Sequence, residues 1–330
     1  MRKLLLGTTA LAAAATLTAN AALADVSISG AYEFKYTSRS SSVNVNDGTT
    51  MTHGGTEMVV NFNNKTDSGL DINFRYDIGE VGSTDGGNLT IDEASLSIAG
   101  GFGKIILGMD DDAAEGYNID ESDLIAEDAS PAVASMTIST SSSISSDDAM
   151  KVAYHMPAMG GLTAGISHTD RSAVGGTDTT SYGAKYAMEA AGASVTLGYA
   201  IVADENATQD IDQSNLGVKI VSGDISMILA TGSYEANDED RSNAGASISY
   251  KMPNGLTVGA YTFRSEDDLD IGEKYTKSGL EVQYPIASGL TAVLNLDDYN
   301  YKEGTSDGTH ATLHVDDQGQ STALTIKAAF

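Results

Sequence analysis

Cysteine and tryptophan are absent from the 330 residues, and proline occurs only four times. Without cysteine there is no disulfide framework and no thiolate metal site. Cations are scarce too: 18 Lys and Arg stand against 46 Asp and Glu, a net charge of −28. A chain this acidic does not hold nucleic acid, which is bound by neutralising phosphates with Lys and Arg. Also missing is any apolar run of the ~20 residues that a helical membrane span requires. The longest run, from Leu4 to Leu17, follows Arg2 and Lys3 and precedes Ala22-Leu23-Ala24, which has the A-x-A form of a cleavage site. Residues 1–24 are therefore read as a signal peptide cleaved after Ala24, and residues 25–330 as a single exported domain. Loss of the leader removes two cations and no acid, leaving −30. That charge suits a halophile-like surface, a disordered chain or a cation-attracting wall; ordered alternation to the end of the chain disfavours disorder.

Alternation is what the chain has in quantity. In SISYKMPNGLTVGAYTF (Ser247 to Phe263), apolar residues alternate with small or polar ones up to Met252-Pro253-Asn254-Gly255, then alternate again. Two period-2 strands around such a turn make a hairpin. The pattern recurs from Lys151 to Gly165 and from Leu280 to Val293, with looser copies starting at Met58, Ala94, Tyr182 and Leu216. Seven hairpins give fourteen strands, and single strands at the two ends bring the number to sixteen. The hairpin turns are short, while the other strand ends are joined by polar segments at 38–54, 79–87, 110–147, 169–177, 203–212, 235–241, 265–273 and 300–318. Strands of about nine to eleven residues cross a bilayer at a tilt, and short turns opposite long loops mark an up-and-down outer-membrane barrel.

The faces follow from the side chains. The apolar parity ends in an aromatic just before a short turn at Phe62, Tyr154, Tyr186, Tyr250, Tyr284 and the terminal Phe330. Rings at one height are what a membrane–water interface selects. The opposite parity carries small polar residues and single charges, among them Lys35, Arg75, Glu93 and Glu281. A soluble sandwich would bury large apolar side chains against each other; here they are modest, as suits lipid tails. The expected fold is all-β, a 16-stranded antiparallel transmembrane β-barrel with apolar side chains outside and water inside. Lipid offers no partner to an open edge, so the sheet must close, and around sixteen strands the interior leaves an aqueous channel.

With these features in hand, the chain resembles a Gram-negative general porin, closest to the alphaproteobacterial type. The sharpest local match is Gly100-Gly101-Phe102-Gly103-Lys104-Ile105-Ile106-Leu107-Gly108 before a long acidic stretch. It is similar to the family's fifth strand and its inward-folded third loop. The closing Ala323-Leu324-Thr325-Ile326-Lys327-Ala328-Ala329-Phe330 is similar to the signal read by the outer-membrane assembly machinery. The resemblance implies a homotrimer in the lipid of a Gram-negative outer membrane, its pore narrowed by the third loop. It implies passive diffusion of ions and small hydrophilic solutes, with no enzyme activity and no required cofactor. Where family members often carry an arginine after the strand entering the loop, this chain has Met109. Lys35 and Arg75 are the candidates for the facing wall, so an acid-lined, cation-preferring pore is expected in place of a strong transverse field.

Spacing supports the loop independently. Successive short turns lie roughly thirty to thirty-five residues apart, but Gly101 and Met159 are separated by 58. The surplus falls in 110–147, a length typical of functional or disordered loops. Its acids Asp110, Asp111, Asp112, Glu115, Asp120, Glu121, Asp123, Glu127 and Asp128 would concentrate cations if they project into the channel, and would do nothing of the kind on an external loop. Asp110-Asp111-Asp112 is also a candidate Ca²⁺ site, although the spacing is not that of an EF-hand. Lys104, Lys185, Lys219, Lys251 and Lys327 share the inner parity near the short turns, as a basic collar or as snorkelling partners of acids. Of the five histidines only His310 and His314 have ligand-like spacing, and His155 on the inner parity argues against a lipid-face hydrolase. The inner parity holds few rings, Tyr261 and Phe263 excepted, which weighs against the alternative of a substrate-specific porin. A structural or adhesive barrel is the remaining alternative.

Overall fold

The computed structural model describes residues 25–42, 47–80, 89–126, 141–144, 148–171, 176–205, 210–236, 239–267, 271–305 and 316–330. The leader, Glu127, Asp128, His310 and His314 lie outside the described residues. Sixteen antiparallel strands close into one barrel. They are β1 (Asp25–Ser41), β2 (Gly48–Lys65), β3 (Asp71–Glu80), β4 (Leu89–Gly100), β5 (Gly103–Asp110), β6 (Ala149–His155), β7 (Leu162–Thr169) and β8 (Asp178–Ala190). The second half comprises β9 (Ala193–Glu205), β10 (Asp210–Ser222), β11 (Ile225–Ala236), β12 (Glu239–Lys251), β13 (Thr257–Asp267), β14 (Ile271–Ala287), β15 (Leu290–Thr305) and β16 (Asp317–Ala329).

Each strand pairs with its sequence neighbours, and β1 closes the ring against β16 from Ala31↔Ala329 to Ser41↔Gly319. At this seam Gly30 and Phe330 exchange backbone N–H···O bonds of 3.3 and 2.9 Å. The period of two then sorts the side chains. Ile28, Val152, Ile166, Leu216, Leu229 and Leu280 stand exposed on the outer parity, as do all six rings assigned to the short-turn end. On the inner parity Ser265, Asn215, Asn295 and Thr325 are buried.

Several strands run longer than the nine to eleven residues expected: β2 has 18 and β1 has 17. The extension lies toward the long connections, so β1 and β2 are joined by 42–47 where the alternation suggested 38–54. Beyond the apolar band both faces meet water and the hydrophobic contrast fades. The ladder nevertheless continues, with Arg39 still paired to Gly48.

Candidate functional site

The long connection after β5 is held to the polar face of the wall by bonds that advance from strand to strand. The N–H of Ala113 donates to Ser167 Oγ at 3.0 Å, that of Ala114 to Ser181 Oγ at 3.2 Å, and that of Ile119 to Asn215 Oδ1 at 3.2 Å. Asn215 also donates to Ser142 O at 2.8 Å, tying the returning chain to the same strand. Farther on, Ala126 N–H donates to Glu281 Oε1 at 2.8 Å and Ala126 O accepts from Lys327 Nζ at 2.6 Å. These last anchors belong to β14 and β16, and β14 stands nine strands on from β5 in the ring of sixteen. Two 3₁₀ turns, Glu115–Tyr117 and Glu121–Leu124, shape the path between. Asp120 caps the second by accepting from Ser122 N–H at 2.8 Å.

The wall is hollowed to receive this segment. Gly165 pairs with Gly183, Gly198 with Gly217, and Ala230 with both Gly217 and Gly245. A Cβ at Gly198 would lie 2.6 Å from Tyr117 O, one at Gly183 would lie 2.7 Å from Tyr117 Cβ, and one at Gly217 would collide with Ile119 O. Close approach of backbone to backbone is what glycine permits. Side chains complete the attachment: Asp112 Oδ1 pairs with Lys151 Nζ at 2.9 Å, and the Tyr117 hydroxyl meets His155 Nδ1 at 2.9 Å.

Of the nine acids singled out in the sequence, seven are described, and their environments differ. Glu115 and Asp123 are exposed, Asp110 and Asp111 are half-buried, and Asp112, Asp120 and Glu121 are buried. Loss of water pushes the Glu121 carboxyl above the usual range, reinforced by Asp120, although Ser142 N–H donates to Oε1 at 3.3 Å. The Asp123 carboxyl, though its side chain is exposed, is also raised, by partial loss of water and by Asp120, with Lys219 and Lys185 opposing. Two of the five collar lysines therefore act on this segment directly. A third, Lys327, holds Ala126 and pairs with Glu33 at 3.1 Å.

Arg75 is committed on the wall, paired with Asp77 at 2.7 Å and with Glu93. It stands at the root of the segment, since a Glu93 carboxylate oxygen lies within 4.8 Å of those of Asp111 and Asp148. Lys35 is half-buried on β1. The Asp148 carboxyl is pushed up to about 7 by desolvation, by a hydrogen bond with Asp111 and by the charges of Asp111 and Asp92, against Lys151. The run Asp110-Asp111-Asp112 thus divides: Asp112 turns to Lys151, while Asp111 joins Glu93 and Asp148.

The inner wall carries more rings than the two read from sequence. Tyr261, Phe263, Tyr275, Tyr299 and Tyr301 are all buried on β13 to β15. The Tyr299 hydroxyl donates to Asp317 at 3.0 Å and that of Tyr301 to Glu273 at 2.8 Å, while Tyr261 donates to Asp297. Tyr301 sat in an expected loop, which is why alternation did not assign it a face.

A family model described as Gram-negative porin matches residues 7–304. No curated protein sequence matches the chain at a significant level. Similar solved structures include OmpT of Vibrio cholerae in its trimer form, at 12% identity over 94% of this chain and 100% of that one, with a TM-score of 0.67. An anion-selective porin from Comamonas acidovorans is 14% identical over 93% of this chain and 100% of that one, with a TM-score of 0.68. The outer membrane channel DcaP of Acinetobacter baumannii is 13% identical over 93% and 97%, with a TM-score of 0.66.

Proposed function

Because the chain belongs to the Gram-negative porin family, we propose that it is a passive channel of the outer membrane that lets ions and small hydrophilic solutes move down their gradients, with cations favoured. The observation that carries this reading is the closed sixteen-stranded ring, apolar outside and polar inside, with one acidic segment bonded from β6 to β16. Folded inward, that segment narrows the water column, and Glu115, Asp123, Asp110 and Asp111 supply the fixed negative charge beside it. With a Debye length of ~8 Å at physiological salt, the result is a bias between ions. The Comamonas acidovorans relative is anion-selective by description, so cation preference rests on this chain's own acids.

Export with removal of residues 1–24, recognition of the strand ending in Phe330 by the assembly machinery, and association as a homotrimer complete the proposal; the trimer form of the Vibrio cholerae relative supports the last. No covalent chemistry and no cofactor is required. A Ca²⁺ ion at Asp111, Glu93 and Asp148 would pin the root of the segment by relieving carboxylate repulsion.

Planar-bilayer recording across a KCl gradient tests the channel: a cation-directed reversal potential is expected, and an anion-selective or closed protein overturns it. The five inner rings keep at most 7% of their surface exposed and offer solutes no stacking face, so substrate specificity is the weaker second reading. Swelling of liposomes in sugars of graded size decides between the two, since an unspecific pore gives a smooth dependence on size.

A further inference from the structure

Charge is distributed unevenly along the barrel axis, and the two mouths differ in kind. The eight long connections carry eighteen acids and a single cation, Arg171, whereas the seven short turns carry two acids, Asp67 and Asp224. Strand residues do not cancel the difference. Toward the long connections Arg75, Lys151 and Arg241 are taken up by Asp77, Asp112 and Asp267. Asp204, Glu273 and Asp317 add inward acid there and outnumber Arg39. On the outside, Arg264, Lys274 and Lys302 share their rim with Glu205, Asp212, Glu235 and Glu266.

The short-turn mouth is close to neutral. Lys65 pairs with Asp71 at 3.0 Å and Lys327 with Glu33 at 3.1 Å. Lys104, Lys185, Lys219 and Lys251 form no ion pair among the described residues, and Asp25, Asp67, Glu189 and Asp224 stand against them in equal number. Glu281, bonded to Ala126 and Gln283, is one acid over, and Lys185 and Lys219 also act on Asp123 of the segment. The collar lysines therefore neutralise this mouth without giving it an excess of positive charge.

We propose that this asymmetry makes the channel rectify, conducting better when the field drives cations from the long-connection mouth toward the short-turn mouth than in reverse. The inference rests on the channel reading above. Where fixed carboxylates line the path, cations are concentrated and carry the larger share of the current. Near the neutral mouth cations and anions share it more evenly. Cations driven out of the acidic zone reach the junction faster than they leave it, and anions arriving from the other side are held back there. Both ions accumulate, and resistance falls. Reversing the field empties the junction of both, and resistance rises. No net flux arises without a gradient, so passive flow is biased with no source of energy.

The test is single-channel recording of the full protein in phosphatidylcholine bilayers and symmetric KCl, comparing currents at equal and opposite voltages. The expected ratio is roughly 1.5-fold or more at 0.1 M, where screening extends over ~10 Å, and close to one at 1 M, where it extends over ~3 Å. A polycationic dextran too large to pass, added to one chamber, marks the acidic mouth. It should reduce the current from one side alone, and the larger current should be the one that drives cations in from that side. Lys104→Glu with Lys251→Glu, both at exposed positions, extends the acidic zone to the short-turn mouth and should bring the 0.1 M ratio close to one. Equal currents in the parent at 0.1 M overturn the proposal, as does rectification of the opposite sense or a ratio the variant leaves unchanged. If the variant does not fold, the salt dependence and the sense in the parent decide alone. An open channel with a linear response removes only this inference, and a closed protein removes the channel reading and this one with it.

Discussion

Asp112 Oδ1 and Lys151 Nζ stand 2.9 Å apart, and the two side chains keep 2% and 0% of their surface in contact with solvent. The pair fastens the acidic segment to β6, and Ser167 Oγ adds a contact to the same Asp112 oxygen at 3.4 Å. Removing one partner of a buried pair strands the other charge, at a cost of about 3–5 kcal/mol. Lys151→Met is expected to free the segment while the ladder of the barrel persists. Single-channel conductance should rise and limited proteolysis should cut between residues 111 and 126, with the detergent-solubilised barrel still heat-resistant.

On the proposed channel reading, the charge that reaches the water column is that of the exposed acids Glu115 and Asp123. Glu115→Gln with Asp123→Asn is expected to move the KCl-gradient reversal potential toward zero. Asp120→Asn, at a buried helix cap, should act on the stability of the segment more than on selectivity. Reversal potentials of the two variants, recorded in the same gradient, check the difference.

The carboxyl of Asp148 gives the root of the segment a dependence on pH. Its affinity for a proton is raised from the ordinary 3.8 to about 7, so the docked root holds a proton that a free chain would release. The stabilisation is complete below about pH 4 and is lost as pH rises through about 7. Between pH 5 and pH 8 one more negative charge appears beside Asp111, and cation preference should grow. Asp148→Asn is expected to flatten that change, as read by reversal potentials at the two pH values.

Gly217 tests the fit of the groove. Gly217→Ala brings a methyl group into Ile119 O, so the segment must lift from β10 and give up the bond from Ile119 N–H to Asn215. The expected outcome is altered conductance with an unchanged melting transition of the barrel. The same substitution at Gly101, where a Cβ meets nothing within 4 Å and φ is not positive, should leave conductance as it was.

The number of strands and the sorting of their faces were legible because period two coincides with a change of solvent. Tyr154 and Tyr250 are exposed at the short-turn end as their parity required. Where both faces meet water that contrast vanishes, so the upper reach of β1 and the placement of Tyr301 were not readable. Nor could composition separate Glu115 from Glu121. Each heads its own 3₁₀ turn, and Glu121 is buried because its carboxylate lies against the wall at Gly245, a matter of three dimensions. The groove did leave a trace, since Gly165, Gly183, Gly198, Gly217 and Gly245 all share the inner parity. That trace acquires meaning only when the strands stand side by side.

The seam at Gly30 and Phe330 joins positions 300 residues apart, and this governs how such a wall can be made. Until the final strand meets the first, both margins carry bare amide groups that hydrocarbon cannot tolerate. A growing polypeptide therefore has no stable half-cylinder to rest in. On the proposed outer-membrane reading, insertion would wait for the last strand, and unfinished margins would be prone to zip onto one another.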